Sequence, residues 1–167
     1  MDVYVLRHGK AGQHLPGGND SSRALTEKGK EEIEGIAEWL ASREISFDLI
    51  ATSPLVRARE TGAIIAAGLG QEKILETWQS LSIGSDPATI CQKITEETSL
   101  SSLLLVGHEP TLSSLIGLII SANDRAGILL AKGGLAKLRN VTTGRDIRGE
   151  LQWLLTSKQV LSMRRGT

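Results

Sequence analysis

The chain is poor in the residues that most often announce a function. It has one cysteine, Cys91, in 167 residues. A single thiol closes no intramolecular disulfide and excludes a multi-cysteine zinc site, so Cys91 reads as a small buried apolar residue. The aromatic residues are three tryptophans, one tyrosine and one phenylalanine, too few for a base-stacking platform. Trp39, Trp78 and Trp153 read as core or rim packing. An excess of one charge is also missing. The 19 Lys and Arg balance the 19 Asp and Glu, and a neutral chain sets up no global field for nucleic acid or an anionic membrane. Neither is expected as a partner, and any anion site must be built locally from a few converging cations. The longest apolar stretch, Leu112 to Ile120, is broken by Ser and Gly and too short to span a bilayer. Met1-Asp2-Val3-Tyr4 has no basic n-region and no apolar h-region, so no signal peptide is expected and the chain reads as cytoplasmic. No linker, repeat or low-complexity tract divides it. Its length fits one domain over 1–167, long enough to bury a core.

What is present is an alternation of apolar runs and helical patterns. Val3-Tyr4-Val5-Leu6 predicts a buried strand ending at Arg7. The polar, Gly-rich stretch from Gly9 to Ser22 reads as a loop, with His14 a bland member of it. Thr26 is an N-cap candidate for a helix whose Ile33, Ile36, Ala37 and Leu40 share one face. Phe47 to Ala51 predicts a second strand. Ser53-Pro54 then reads as a cap and first-turn proline for a helix from Pro54 to about Ala67, ended by Gly68 and Gly70. Ile74 and Leu75 mark a short third strand. Asp86-Pro87 repeats the cap-and-proline signal before Ala88, Ile90, Cys91 and Ile94. Leu103 to Val106 is a fourth apolar run, and Pro110 opens a helix carried by Leu112, Leu115, Ile116 and Ile119. Leu135 to Val141 and Leu151 to Leu155 read as two last strands joined by a turn over Thr142 to Gly149. The end, Ser162 to Thr167, reads as frayed. Continuous apolar runs alternating with helices predict an α/β fold: a three-layer sandwich with a mainly parallel central sheet and helices on both faces.

Three segments fall just past predicted strands: Arg7-His8-Gly9, Ser53-Pro54 with Arg57, and Gly107-His108. Open parallel sheets bind ligands outside the carboxyl ends of their strands. Two arginines and two histidines meeting there would form a compact phosphate pocket, since the planar guanidinium pairs with two phosphate oxygens at once. A glycine after His8 lets the backbone turn sharply and leaves room for a ligand. A lone histidine or arginine in such a place is usually structural or solvated. Two of three histidines following apolar strands, each beside a glycine, is a stronger pattern. Metal binding is the competing reading, disfavoured by the arginines and by the lack of any carboxylate in the three motifs except Glu109.

Val5-Leu6-Arg7-His8-Gly9, Ser53-Pro54-Leu55-Val56-Arg57-Ala58-Arg59-Glu60-Thr61 and Val106-Gly107-His108-Glu109-Pro110 resemble, in order, the three motifs of the histidine phosphatase superfamily, also called phosphoglycerate-mutase-like. The resemblance covers Met1 to about Ile120. The short length, Arg23-Ala24-Leu25-Thr26 ahead of a helix, and Gly-His-Glu-Pro look most like its SixA type of phosphohistidine phosphatases. It implies the phosphoglycerate-mutase-like fold and a phosphatase whose His8 attacks phosphorus and becomes phosphohistidine. Arg7 and Arg57 would hold the phosphoryl oxygens, His108 would stabilise the transition state, and water would hydrolyse the phosphoenzyme. Asp20 and Arg23 match an acidic-then-arginine arrangement of the SixA type, with a helix-entry salt bridge or a solvated loop as the alternative. Arg59 and Glu60 point differently from Arg57 on the helix and read as surface residues or as supports behind the pocket. Neither a metal nor another cofactor is implied. For His8 to attack it must present a neutral nitrogen, so its other ring nitrogen should donate to a carbonyl or carboxylate.

One position departs from the family. Many members carry a glutamate after the third strand that protonates the leaving group; here the chain reads Trp78-Gln79-Ser80-Leu81-Ser82. Glu76 is out of register, and Asp86 is committed to a cap. A missing acid hurts poor leaving groups most and a phosphoramidate least. The short span from Gly68 to Asp86 leaves no room for a large lid, which counts against a mutase. The first reading is therefore hydrolysis of phosphohistidine on a protein partner. The second is a broad small-molecule phosphomonoesterase, and the third a catalytically idle domain that binds phosphorylated ligands. The sequence does not fix an oligomeric state.

Overall fold

A computed structural model describes residues 1–13, 20–143 and 146–164, with Arg164 described by its backbone alone. His14 lies outside the described residues. Six strands form one sheet: β1 (Asp2–Arg7), β2 (Leu49–Thr52), β3 (Leu75–Thr77), β4 (Ser102–Gly107), β5 (Leu135–Arg139) and β6 (Glu150–Leu155). Their order is β3-β2-β4-β1-β5-β6. The first four run parallel, and β5 and β6 add an antiparallel edge. The α-helices among the described residues are α1 (Glu27–Ser42), α2 (Val56–Leu69), α3 (Pro87–Glu96), α4 (Thr111–Ser121) and α5 (Ser157–Arg164).

The continuous apolar runs are explained by burial on both faces. Along β1, Val3 and Val5 join a core with α3 and α4, while Tyr4 and Leu6 join a second core with α1, α2 and α5. Leu103 and Leu105 of β4 face the first core, and Leu104 and Val106 the second. This is the three-layer α/β sandwich expected from the sequence. Among the described residues no helix is long and apolar enough to cross a membrane.

Strand ends differ from the sequence reading by one or two residues. Thr26 caps α1, its Oγ1 accepting from the Gly29 N–H at 3.0 Å, and Asp86 caps α3. Other expectations need correction. Helix α2 begins at Val56, not Pro54, and Gly68 lies inside it; only Gly70, at φ 65°, forms the left-handed cap. Ser53 does not cap the helix body: Leu55 holds the N-cap position, and the Ser53 hydroxyl meets the Leu55 N–H at 3.3 Å and His108 Nε2 at 2.8 Å. Ala88 is exposed, whereas Ile90, Cys91 and Ile94 are buried. The stretch after Gly9 contains a 3-10 turn at Asp20–Ser22. Ser162 to Arg164, expected to fray, are helical as the last residues of α5, whose Val160 is fully buried in the second core; residues 165–167 of that expectation lie outside the described residues. The signal for α5 was in the sequence: Thr156 Oγ1 accepts from the Gln159 N–H, and Gln159 Oε1 accepts from the Thr156 N–H, a reciprocal capping box.

Sheet register places the site. Arg7 pairs with Gly107 across β1 and β4, so His8 and His108 leave the sheet at matching positions. Thr52 pairs with Val106, so Ser53 leaves beside them. Because β5 is antiparallel, its start at Leu135 lies opposite Leu6. The loop entering β5 therefore arrives at the same edge.

Candidate active site

His8 and His108 face each other with ring centroids 5.0 Å apart, and both are buried. Nδ1 of His8 lies 2.7 Å from the Gly9 carbonyl oxygen. A carbonyl only accepts, so Nδ1 carries the proton and Nε2 presents a lone pair. That lone pair is met by Arg57 Nε at 3.3 Å. Burial pushes the His8 pKa down to about 4; the Gly9 carbonyl opposes this, and the charges of Arg57, Arg7 and Lys132 add to the fall. Burial likewise brings His108 down to about 3, with His8 and Arg57 contributing. Both rings are thus neutral at neutral pH.

Arg57 is 2% exposed, and a buried charge needs partners. Its Nη1 donates to the Asp20 carbonyl at 2.8 Å and its Nη2 to Asp20 Oδ2 at 3.0 Å. Asp20 also accepts from Arg23 Nε at 2.8 Å, while Arg23 Nη1 reaches the Gly12 carbonyl at 3.0 Å. Burial works to raise the Asp20 pKa, but hydrogen bonds from Arg57 and Arg23 outweigh it and hold the carboxyl below its ordinary value. Arg7 Nη1 donates to the Leu130 carbonyl at 2.9 Å. Arg7 Nε and His108 Nδ1 are buried polar atoms with no hydrogen-bond partner among the described residues.

All six residues expected at the site line one cavity of about 360 Å³: Arg7, His8, Asp20, Arg23, Arg57 and His108. Arg59 and Glu60 do not line it; Glu60 Oε2 accepts from the Leu25 N–H at 2.6 Å. Glu76 is exposed and absent from its wall. The segment between β3 and α3 contributes Ile83 to the wall. Glu109, also in the wall, accepts hydrogen bonds from both the Ser113 N–H and its hydroxyl. Among the described residues no group of three or more His, Cys, Asp or Glu is placed to hold a metal ion.

The structure adds residues that sequence reasoning missed. Thr61 is fully buried; its Oγ1 accepts from the Gly9 N–H at 3.1 Å and donates to the Arg57 carbonyl at 2.7 Å, joining the His8 turn to α2. Its place four residues after Arg57, one helical turn on, was the available signal. Ser53 Oγ lies 2.8 Å from His108 Nε2. Lys132 lines the cavity from the loop before β5. The role given to Gly9 also changes. It is not among the positive-φ glycines. A Cβ there would come within 2.9 Å of Ile33 Cγ1 and 3.2 Å of the Gly29 carbonyl, so Gly9 lets α1 pack against the turn.

Comparison with known proteins gives this geometry its class. A model described as "Histidine phosphatase superfamily (branch 1)" matches residues 3–84. A protein of uncharacterised function from Picosynechococcus is 33% identical over 145 residues, covering 84% of this chain and 86% of the relative. Phosphohistidine phosphatase SixA of Escherichia coli K12 is 29% identical over 119 residues, covering 70% and 72%. A crystal structure from Agrobacterium tumefaciens assigned to the SixA type is 30% identical, with a TM-score of 0.78 over 93% of this chain and 97% of that one. The protein histidine phosphatase SixA complexed with tungstate shares the fold, with a TM-score of 0.83 at 22% identity over 95% and 98%. The chain belongs to the histidine phosphatase superfamily. Its relatives by sequence and by structure include proteins of the SixA type.

Proposed function

We propose that this protein is a phosphatase that removes the phosphoryl group from phosphohistidine on a protein partner, through a phosphoenzyme formed on His8. The observation that carries the reading is the state of His8. Its proton is committed to the Gly9 carbonyl, its Nε2 lone pair faces Arg57, and its ring is neutral well below neutral pH.

In the first step the Nε2 lone pair of His8 attacks phosphorus. The bond from phosphorus to the substrate imidazole breaks, and its electron pair returns to that imidazole. Arg7 and Arg57 hold the phosphoryl oxygens, and His108 donates a hydrogen bond to the same group. Phosphoryl transfer needs little beyond positioning and cationic stabilisation, and splitting it through a covalent intermediate is ordinary nucleophilic catalysis. In the second step water attacks phosphorus, the His8–phosphorus bond breaks, inorganic phosphate leaves and His8 regains its lone pair.

The two carboxylates of the cavity support the choice of substrate. Asp20 is held ionised between two arginines, and Glu109 accepts two hydrogen bonds from Ser113. Asp20 is thereby a poor proton donor, and both oxygens of Glu109 are turned to Ser113. An alkoxide leaving group needs such a donor; an imidazole does not. The E. coli relative is a phosphohistidine phosphatase by name, which agrees. The test is phosphate release from a phosphorylated histidine-containing carrier domain, run beside a panel of phosphate esters with and without a chelator. Release from the carrier, unaffected by chelation, is the expected result. Rapid turnover of sugar phosphates with an inert carrier would replace this reading with a broad phosphomonoesterase.

A further inference from the structure

We infer that Lys132 is a further phosphoryl-binding residue, a cation at the cavity mouth that completes the charge of the site. This rests on the phosphatase reading above and extends it to a residue outside the family motifs.

The loop that carries Lys132 is tied to the nucleophile's own backbone. Arg7 N–H donates to the Gly134 carbonyl at 3.0 Å. The Gly133 N–H lies 3.2 Å from the Arg7 carbonyl and 3.1 Å from that of His8. Arg7 Nη1 reaches back to the Leu130 carbonyl. Gly133 sits at φ 67°, where a side chain would be strained and would also crowd Ser157. Lys132 is therefore held next to His8 by backbone bonds on both sides of it, and its side chain is exposed while lining the cavity. It forms no ion pair among the described residues, and its charge is felt at His8.

Charge matching gives this cation a task. With both histidines neutral, the cavity wall holds Arg7, Arg23 and Arg57 against Asp20 and Glu109. Three positive charges against two negative leave one, and Lys132 raises it to two. A phosphoryl dianion carries two negative charges. The arginines are fixed by carbonyls and by Asp20, whereas the flexible lysine stem can follow the phosphoryl group from the solvent side.

Orthovanadate and inorganic phosphate binding, measured by calorimetry at low and high ionic strength on wild type, Lys132→Gln, Lys132→Arg and Arg57→Gln, tests the idea. Lys132→Gln is expected to bind roughly five- to tenfold more weakly at low salt and to lose part of the salt dependence. Lys132→Arg should stay near wild type, and in turnover the glutamine variant should raise KM more than it lowers kcat. Equal affinity of wild type and Lys132→Gln, with binding lost in Arg57→Gln, would remove Lys132 from the site and leave the phosphatase reading intact. No oxyanion binding by wild type would sink both.

Discussion

Arg57 Nε lies 3.3 Å from His8 Nε2, so the nitrogen proposed to attack phosphorus is already covered by a cationic donor. The opposite ring nitrogen is closed by the Gly9 carbonyl. An incoming phosphoryl group can meet His8 at one nitrogen alone, and the N–H that covers it can pass to a phosphoryl oxygen. The expected phosphoenzyme carries its phosphorus on Nε2. Trapping with radiolabelled substrate should give an acid-labile adduct, absent from His8→Ala, and phosphorus NMR of the trapped protein should report substitution at Nε2. An Nδ1 adduct would mean that the Gly9 bond is broken before reaction.

The same arginine should dominate the energetics of catalysis. It is buried, and all three of its nitrogens are engaged, with His8 and with Asp20. Arg57→Ala removes a charge-assisted donor aimed at the reacting group, a change that typically lowers kcat/KM by about 10²–10³-fold, or about 3–4 kcal/mol. Arg57→Lys should recover little, because a lysine keeps the charge but not the fork that holds Asp20 and His8 together. Steady-state kinetics on the two variants decide it; a lysine variant near wild-type rate would reduce Arg57 to a point charge.

Thr61 is expected to act as a positioning residue. It holds the Gly9 N–H and the Arg57 carbonyl, and so fixes the peptide whose oxygen sets the His8 tautomer. Thr61→Val keeps the shape and leaves the buried Gly9 N–H without its partner, worth about 1–3 kcal/mol of stability, while the Arg57 carbonyl keeps its helical bond within α2. Thr61→Ser restores the hydroxyl. Kinetics should show kcat lowered in the valine variant, KM little changed, and the serine variant near wild type. Rates that follow stability alone, with no rescue by serine, would leave Thr61 as packing.

Much of this was legible in the sequence, for identifiable reasons. Strands buried on both faces are continuous apolar runs, so β1 and β4 stood out, and the edge where a parallel sheet binds ligands follows from their ends. Arg7, His8 and His108 reach one cavity through the Arg7–Gly107 register and Arg57 through the Thr52–Val106 register, while Asp20 and Arg23 are held there by hydrogen bonds to Arg57 and to each other. Lys132 was not legible, because its place depends on β5 running antiparallel, and no local pattern states strand direction. Helix α5 was missed because one fully buried residue, Val160, and a partly buried Met163 make a thin apolar stripe. The start of α2 was misread because Ser53-Pro54 looks like a cap, while the Ser53 hydroxyl accepts from the Leu55 N–H, one residue short of the helix, and sits beside His108.

Two buried neutral histidines also set how stability responds to acid. The folded pKa of His8 is about 4 and that of His108 about 3, both below the ordinary value of 6.5. Below 6.5 the unfolded chain takes up protons that the folded chain refuses, so unfolding gains free energy as pH falls. The stability is therefore fully present above about 6.5 and is lost as pH falls through the window down to about 4 for His8 and about 3 for His108. The linkage relation gives a loss of about 2 kcal/mol per histidine between pH 7 and pH 5. Urea unfolding at the two pH values should show the wild type weakened by more than the His8→Gln variant, whose remaining acid sensitivity comes from His108 and the carboxylates. The free enzyme's kcat/KM should keep its His8-controlled acid limb near pH 4 instead of 6.5, since a neutral nucleophile persists until then. An acid limb at 6.5, with equal pH dependence of stability in wild type and His8→Gln, would mean that His8 titrates as a solvated imidazole and that the buried, Arg57-covered geometry does not persist in solution.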